Sequence, residues 1–408
     1  MYAQSNPSVI AVGYSVRALV EACAHAGLES VAVDHFGDAD TRYYAKDRWI
    51  EFKITEQGRL SSDTRYALQA ATTELLRAGK SVVFLLAGGM ENLGGAVEQL
   101  REIASVLGPT EVQRRALRNI EFLYGIARAA NLSTPQLRLG ETRGSNWLWK
   151  PSASAGGLKI VRNARAGADR GSGYWQEYIR GEQIGVSCLL DHDGCRILGA
   201  TSSFDAAEWL GPSEFIYRGS FGPIALSTDC HSQIECLCGH ISTRTGYRGW
   251  LQFDFIRDER GALWLLECNP RWTAGMEIFL FISGANPVRE ILQSNNLSAW
   301  APTRVQGGEF ACFAKAVVYA THPINLTDKL IGKLEYVEEL ADRPHAPQLI
   351  ECGHPIATVR AGMQCDHVSQ MEDLNRVRLL DKLRQRADSV AELLRNSEPL
   401  SDYRPAFS

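Results

Sequence analysis

Two apolar runs that carry charge constrain this chain more than any other feature. Gly249-Trp-Leu-Gln-Phe-Asp254-Phe-Ile places one carboxylate inside an otherwise apolar stretch. Leu265-Leu-Glu267-Cys-Asn269-Pro-Arg271 ends in a carboxylate, an amide and a guanidinium. The charged segment 257–262, which contains Gly261, reads as a turn, so the two runs are predicted to pair as a β-hairpin. In such a hairpin Asp254 and Glu267 come close together. Asn269, two residues further along the strand, faces the same side as Glu267. Unpaired charge within an apolar strand is costly. The set therefore reads as oxygen ligands for Mg²⁺ or Mn²⁺ carrying nucleotide phosphates rather than as a solvated face.

A chain of 408 residues is too long for one core and implies two or three domains. Hydrophobic and charged contents of 45% and 22% are those of an ordinary globular protein. A net charge of −4 supplies no basic field, so no nucleic-acid partner is expected. No apolar run reaches the roughly 18–20 residues of a membrane span. Residues 1–8 lack the charged and apolar regions of a signal peptide, so a cytoplasmic location is expected. The ten cysteines then read as reduced thiols. The densest group is Cys230, His231, Cys236, Cys238 and His240. Ile234, Leu237, Cys238 and Ile241 follow helical spacing, on which Cys236 and Cys238 diverge and cannot share an ion. No zinc site is expected within that stretch.

The first hundred residues alternate strand and helix. Strand Val9–Val12 leads through the turn Gly13–Ser15 to helix Val16–Ala26. Strand Val31–Val33 ends at Asp34. Helix Ser62–Ala78, strand Ser81–Leu86 and helix Gly95–Val106 follow. Gly13-Tyr-Ser-Val lacks the Gly-x-Gly-x-x-Gly fingerprint of a nicotinamide site. Ligands in parallel sheets bind beyond the carboxyl ends of the strands, where Gly13, Asp34 and the segment Gly88–Asn92 fall. Glu91 and Asn92 read equally well as a helix-capping turn.

One long helix is predicted from Val112 to Ala130. Trp147–Pro151 reads as a strand carrying Lys150. The small-residue loop 152–157, with Gly156 and Gly157, follows it, and then a strand Leu158–Val161. A glycine-rich turn lets backbone N–H groups approach phosphates, and Lys150 at its mouth favours that use over an ordinary hairpin. No Gly-Lys-Ser/Thr opens a helix, so this is not a Walker loop. Further strands are expected at Ile184–Leu190, Phe310–Tyr319 and Gly353–Val359. A terminal helix Met371–Leu394 follows, and the tail from Pro399 reads as disordered.

The order is specific: a lysine before a Gly-rich loop, Gln176-Glu177-Tyr178-Ile179-Arg-Gly181, Asp254-Phe, then Glu267-x-Asn269-Pro-Arg271. It resembles the ATP-grasp superfamily. Gly13-Tyr-Ser-Val-Arg17, Asp34-His-Phe-Gly-Asp38-Ala-Asp40 and Gly88-Gly-Met-Glu91-Asn92 are similar to one branch, the predicted ATP-dependent carboligases distantly related to biotin carboxylase. Some members of that branch lie beside genes of methanopterin and methanofuran metabolism, which ties the chain to C1-cofactor biosynthesis by association only. The resemblance implies an α/β and α+β chain with the ATP-grasp fold. Its parts would be an N-terminal α/β pre-ATP-grasp domain (1–110), a nucleotide-binding body (111–298) and a small C-terminal domain with a terminal helix (299–408).

It also implies roles. Lys150 would meet the α- and β-phosphates, and Arg118, where lysine is usual, the α-phosphate. Gly156 and Gly157 would close over them. Glu177, Tyr178 and Ile179 would hold adenine. Asp254, Glu267 and Asn269 would bind the metals, and Arg271 would face the transferred phosphate or the acyl group. Two positions depart from the pattern. The ribose position carries Gln183, with Glu182 one residue early. The position two before the first metal aspartate carries Gln252 where peptide-ligase relatives have arginine, and Arg248 is the nearby substitute.

An ATP-dependent ligase is therefore expected, joining a small-molecule carboxylate to an amine through an acyl phosphate and releasing ADP and phosphate. Gly13, Asp34, Glu91, Asn92 and Arg248 are the substrate-site expectations, and a homodimer is one assembly this reading allows. Two alternatives stand beside it. One is a carboxylase-like enzyme that activates bicarbonate as carboxyphosphate. The other is an ATP-binding protein without ligase activity.

Overall fold

The computed structural model describes residues 6–138, 146–153, 156–162, 172–204, 214–282, 284–297, 309–364 and 372–395. It opens with β1 (Ser8–Val12), α1 (Arg17–His25), β2 (Ser30–Asp34), α2 (Ala39–Tyr44), β3 (Trp49–Glu51), α3 (Ser62–Arg77), β4 (Val82–Leu86), α4 (Gly94–Arg101) and β5 (Ser105–Leu107). These strands form one parallel sheet in the order β3-β2-β1-β4-β5. The strands β1, β2 and β4 are buried at every position, which is why they read as unbroken apolar runs. Alternate residues feed two layers. Val9 and Ala11 pack with Leu19 and Val20 of α1, whereas Ile10 and Val12 pack with Leu68 of α3 and Val97 of α4.

One expected helix is shorter than its pattern suggested. Gly95–Val106 was expected to be helical throughout, but α4 stops at Arg101 and Val106 lies in a strand. Val106 fits either periodicity, and the open edge of β4 captures it as a parallel partner. The Arg101 guanidinium then bonds the carbonyls of Gly108 and Pro109, both at 2.8 Å.

The predicted helix 112–130 is two helices, α5 (Glu111–Arg118) and α6 (Ile120–Ala129). They meet at Asn119, whose backbone is extended (φ −79°, ψ 108°) and whose side chain accepts from the Phe122 N–H at 2.9 Å. An asparagine that caps a new helix ends the old one, because its oxygen takes an N–H that has no partner within the helix.

A four-stranded antiparallel sheet follows, made of β6 (Leu137–Arg138), β7 (Trp147–Pro151), β8 (Val161–Arg162) and β9 (Gly173–Glu177) in the order β6-β9-β7-β8. Here the strand expected at Leu158–Val161 begins only at Val161; before it Gly156 and Gly157 turn the chain with φ of 62° and 79°. A Cβ on Gly157 would lie 1.7 Å from the Phe215 carbonyl oxygen, so only glycine fits there.

The rest builds on an eight-stranded sheet. Its elements begin with β10 (Glu182–Leu190), β11 (Cys195–Ser203), β12 (Gly219–Gly222), α7 (Thr228–Thr245), β13 (Gly249–Arg257) and β14 (Leu263–Asn269). There follow α8 (Ala274–Ile282), α9 (Pro287–Ser294), β15 (Cys312–Tyr319), β16 (Ile324–Leu326), α10 (Asp328–Leu334), β17 (Leu340–Ala341), β18 (Gln348–Ile350), β19 (Pro355–Met363) and α11 (Glu372–Arg395). The sheet order is β14-β13-β10-β11-β12-β15-β19-β17, with β16 and β18 paired apart from it. Helices α6 and α7 cover one half through Leu123, Ile126, Ile234 and Leu237. The other half is covered by α11 through Leu379, Leu383, Ala387 and Val390. Met371 and the tail from Pro399 lie outside the described residues.

A buried ionic knot ties these parts together. Arg17 of α1 bonds Glu277 of α8, and Lys315 of β15 bonds the same carboxylate. Arg17 also meets Glu21 at 2.6 Å and Asp342 at 2.9 Å, and Arg360 of β19 reaches Glu21 at 2.9 Å. No helix among the described residues is long and apolar enough to cross a membrane.

Candidate active site

The hairpin forms as the pattern predicts. In the β13–β14 register Asp254 lies opposite Glu267 and Gln252 opposite Asn269. A bulge follows at once, since Phe255 pairs with Leu265 and Leu266 is passed over. The extra residue brings Glu267 level with Asp254, and four polar groups then share one face of an apolar sheet. Gln252 Nε2 donates to Asp254 Oδ1 at 2.9 Å, and Asn269 Nδ2 donates to Asp254 Oδ2 at 3.0 Å and to Glu267 Oε1 at 3.4 Å.

Electrostatics at the pair are asymmetric. Burial, followed by the neighbouring charge of Glu267, pushes Asp254 up to about 7. Burial also works against the charge on Glu267, but Arg118 and Lys150 outweigh it and hold that group below its usual range. Arg118, at the end of α5, stands 3.6 Å from Glu267. Lys150 projects from β7 and is buried, and its ammonium makes no hydrogen bond or ion pair with a described residue; burial lowers its pKa against the pull of Glu267 and Asp254. A buried ammonium without a direct partner is costly unless an anion joins it. Oxygen donors only, with cationic side chains around them, suit a hard divalent ion bearing phosphates.

The N-terminal sheet supplies the rim. Glu91 and Asn92 sit in a short 3₁₀ turn just past β4. Both Glu91 carboxylate oxygens accept from Arg271, through Nε and Nη2, each at 2.6 Å. Asn92 Oδ1 accepts from Arg118 Nη2 at 3.5 Å. The cap reading of these two residues is thus replaced by a grip on the two arginines. Burial opposes the Arg271 charge, yet Glu91 holds its pKa above the ordinary value. Gly13 allows β1 to approach β4, since a Cβ there would meet the Ala87 Cβ at 2.9 Å. Asp34 ends β2 with its carboxylate taken by Trp49 Nε1 (2.7 Å), the Gly37 N–H (2.9 Å) and the Val16 N–H (3.4 Å).

Other expected residues fall at the edges of this arrangement. Glu177 accepts from the Gln136 N–H at 3.1 Å, Tyr178 carries the Arg162 guanidinium 4.0 Å above its ring, and Ile179 leads on towards β10. Gln183 pairs with Ile256 and is exposed; the two-residue alternation puts it on the same face as Asp254. Glu182 is instead tied to Arg257 and, at 3.4 Å, to Arg376. Arg248 precedes β13, six residues from Asp254, roughly 20 Å along an extended strand. It bonds the Tyr247 carbonyl at 2.8 Å and is not brought to the carboxylates. Gln252 takes the nearer place.

Two polar residues of the site escape sequence reasoning. Thr273 donates to Gln252. Tyr124 of α6 receives Gln176 Nε2 from β9 and donates to the Leu266 carbonyl at 3.4 Å, joining the small sheet to the bulge. Nothing in local sequence marks either residue; only the packing of distant elements does.

Comparison with known proteins gives consistent results. A family model described as an ATP-grasp domain matches residues 122–275. No curated protein matches the chain. Among solved structures, carboxyaminoimidazole ribonucleotide synthase from Aspergillus clavatus, complexed with ATP, is similar over 95% of this chain and 99% of its own, with 11% identity and a TM-score of 0.66. Biotin carboxylase from Campylobacter jejuni covers 96% of both chains at 13% identity and a TM-score of 0.61. L-amino acid ligase from Bacillus licheniformis covers 92% of this chain and 98% of its own at 12% identity and a TM-score of 0.63. Identities this low speak for the fold alone. Residues 122–275 thus match an ATP-grasp domain, and the chain as a whole has the ATP-grasp fold.

Proposed function

We propose that the protein is an ATP-dependent ligase that joins a carboxylate to an amine. One observation carries the reading: opposed Asp254 and Glu267, bridged by Asn269, with a buried Lys150 that has no direct partner among the described residues and two arginines around them. Similar folds named as an amino acid ligase and a ribonucleotide synthase support it.

Asp254, Glu267 and Asn269 would hold Mg²⁺, which supplies charge neutralisation for the nucleotide phosphates. Lys150 and Arg118 bind phosphate oxygens, and the turn at Gly156-Gly157 offers backbone N–H groups beside them. Gln183, on the carboxylate face, is the ribose contact, and the segment Glu177–Ile179 borders adenine. A substrate carboxylate oxygen attacks the γ-phosphorus and ADP leaves. The amine nitrogen then attacks the acyl carbon, phosphate leaves with the bonding pair, and the nitrogen gives up a proton. Arg271 stabilises charge on the acyl phosphate, and Glu91 fixes the plane of its guanidinium. Glu91, Gly13 and Asp34 belong to strand ends of the parallel sheet, so the acceptor enters from that side. The parts divide at 110 and 298, although β15 pairs with β12 and carries one sheet across the second boundary.

The test is ADP release screened over carboxylates and amines, with bicarbonate as a separate arm. Amine-dependent ADP release that falls about 10²–10³-fold in Glu267→Gln, with the fold retained, is expected. Near-normal turnover in that variant would remove the metal role of the pair. Bicarbonate-dependent release without an amine would move the protein to the carboxylases.

A further inference from the structure

The face of the eight-stranded sheet turned away from Asp254 holds a convergence of thiols. Cys188 of β10, Cys195 of β11 and Cys238 of α7 bring three sulfur atoms within 4.8 Å of one another. Strand register accounts for the meeting. Cys188 pairs with Ile197 and Leu190 with Cys195, so Cys188 and Cys195 are diagonal neighbours on one face. A bulge falls beside them, where Ser187 pairs with Gly199 and Leu198 is passed over, and bulges re-aim side chains. Helix α7 lies over this face and adds Cys238 from its buried stripe. Cys188 and Cys238 are fully buried, whereas Cys195 is only partly buried and opens the group to solvent. The cysteine nearest Cys238 in sequence, Cys236, is exposed and points away.

We propose that Cys188, Cys195 and Cys238 form a binding site for a soft d¹⁰ metal ion, of which Zn²⁺ is the type, with solvent at Cys195 supplying a fourth ligand. Thiolates are the donors such ions prefer. Zn–S bonds of about 2.3 Å put sulfurs about 3.8 Å apart, so the three need close by no more than about an ångström. Each ligand comes from a different element, and an ion there would clamp the β10–β11 hairpin to α7. This site is separate from the carboxylates: Cys188 shares its face with Val186, whereas Asp254 stands opposite Gly185, whose residue parity belongs to the other face.

Cd²⁺ titration of the reduced full-length protein tests the proposal, because the ultraviolet sulfur-to-cadmium band counts thiolate ligands and ignores carboxylates. The band is expected to saturate at one ion per chain. It should weaken at least tenfold in affinity in Cys195→Ser and Cys238→Ser, and persist in Cys236→Ser. Zn²⁺ should raise the melting temperature of the wild type by more than that of Cys195→Ser, whose partly exposed position keeps the fold intact without metal. Absence of the band, or its survival in Cys195→Ser, would leave the three thiols as core packing and overturn the site. Ligase turnover is not the readout, so a failure here is distinct from a failure of the proposed function.

Discussion

Replacing Asp254 with asparagine should move stability and catalysis in opposite directions. The folded state raises this carboxyl from the ordinary 3.8 to about 7, which at about 1.4 kcal/mol per unit corresponds to about 4 kcal/mol against ionisation. Asp254 is half-buried, and solvent reduces this to about 2–4 kcal/mol. The sign follows from linkage. A carboxyl with a raised folded pKa holds its proton more tightly when folded, so its penalty is absent below about pH 4, grows as pH rises, and is complete above about 7. Asparagine never ionises and removes the penalty. In metal-free buffer containing a chelator, Asp254→Asn should therefore be more stable than wild type at pH 8, and its advantage should vanish near pH 4. Denaturant melts at the two pH values measure this. The same variant should lose about 10²–10³-fold in ATP turnover, because a ligand charge is missing when phosphates must be neutralised. A variant less stable than wild type at pH 8, or one with normal turnover, would refute the view of Asp254 and Glu267 as mutually repelling carboxylates that serve a cation.

Other perturbations follow from the same geometry. Lys150→Ala should raise the KM for ATP at least tenfold with little loss of stability, because it removes a buried cation with no direct partner among the described residues; ATP titration by calorimetry checks it. Glu277→Ala strands Arg17 and Lys315 and should cost about 3–5 kcal/mol in chemical denaturation; a change below about 1 kcal/mol would show the knot to be dispensable. Glu91→Ala frees Arg271 and should lower kcat while the KM for ATP holds; a drop in melting temperature with unchanged turnover would make the pair structural only.

Much of this was legible in the linear sequence because it is local. The runs at 249–256 and 265–271 carry their own turn, their alternation and their polar residues. Residues two apart on a strand share a face whatever else the chain does. The parallel sheet was legible for the same reason, since strands buried on both sides are apolar through their middles. Boundaries failed where two local codes overlap. Val106 satisfies helix and strand alike until the edge of β4 claims it, and Asn119 can sit within a helix or cap the next one.

What only tertiary structure decided is which distant groups meet. Sequence order placed Glu91 at a strand end, but not against Arg271, 180 residues away. The knot of Arg17, Glu277, Lys315 and Arg360 gathers side chains from four elements. Cys238 shows the same limit: its helix carries it away from its nearest cysteine, and sheet register returns it to two others. Local chemistry sets strand, helix and face through backbone sterics and side-chain period. Charge pairing across the chain depends on how those faces close over one another, and no short window of residues contains that information.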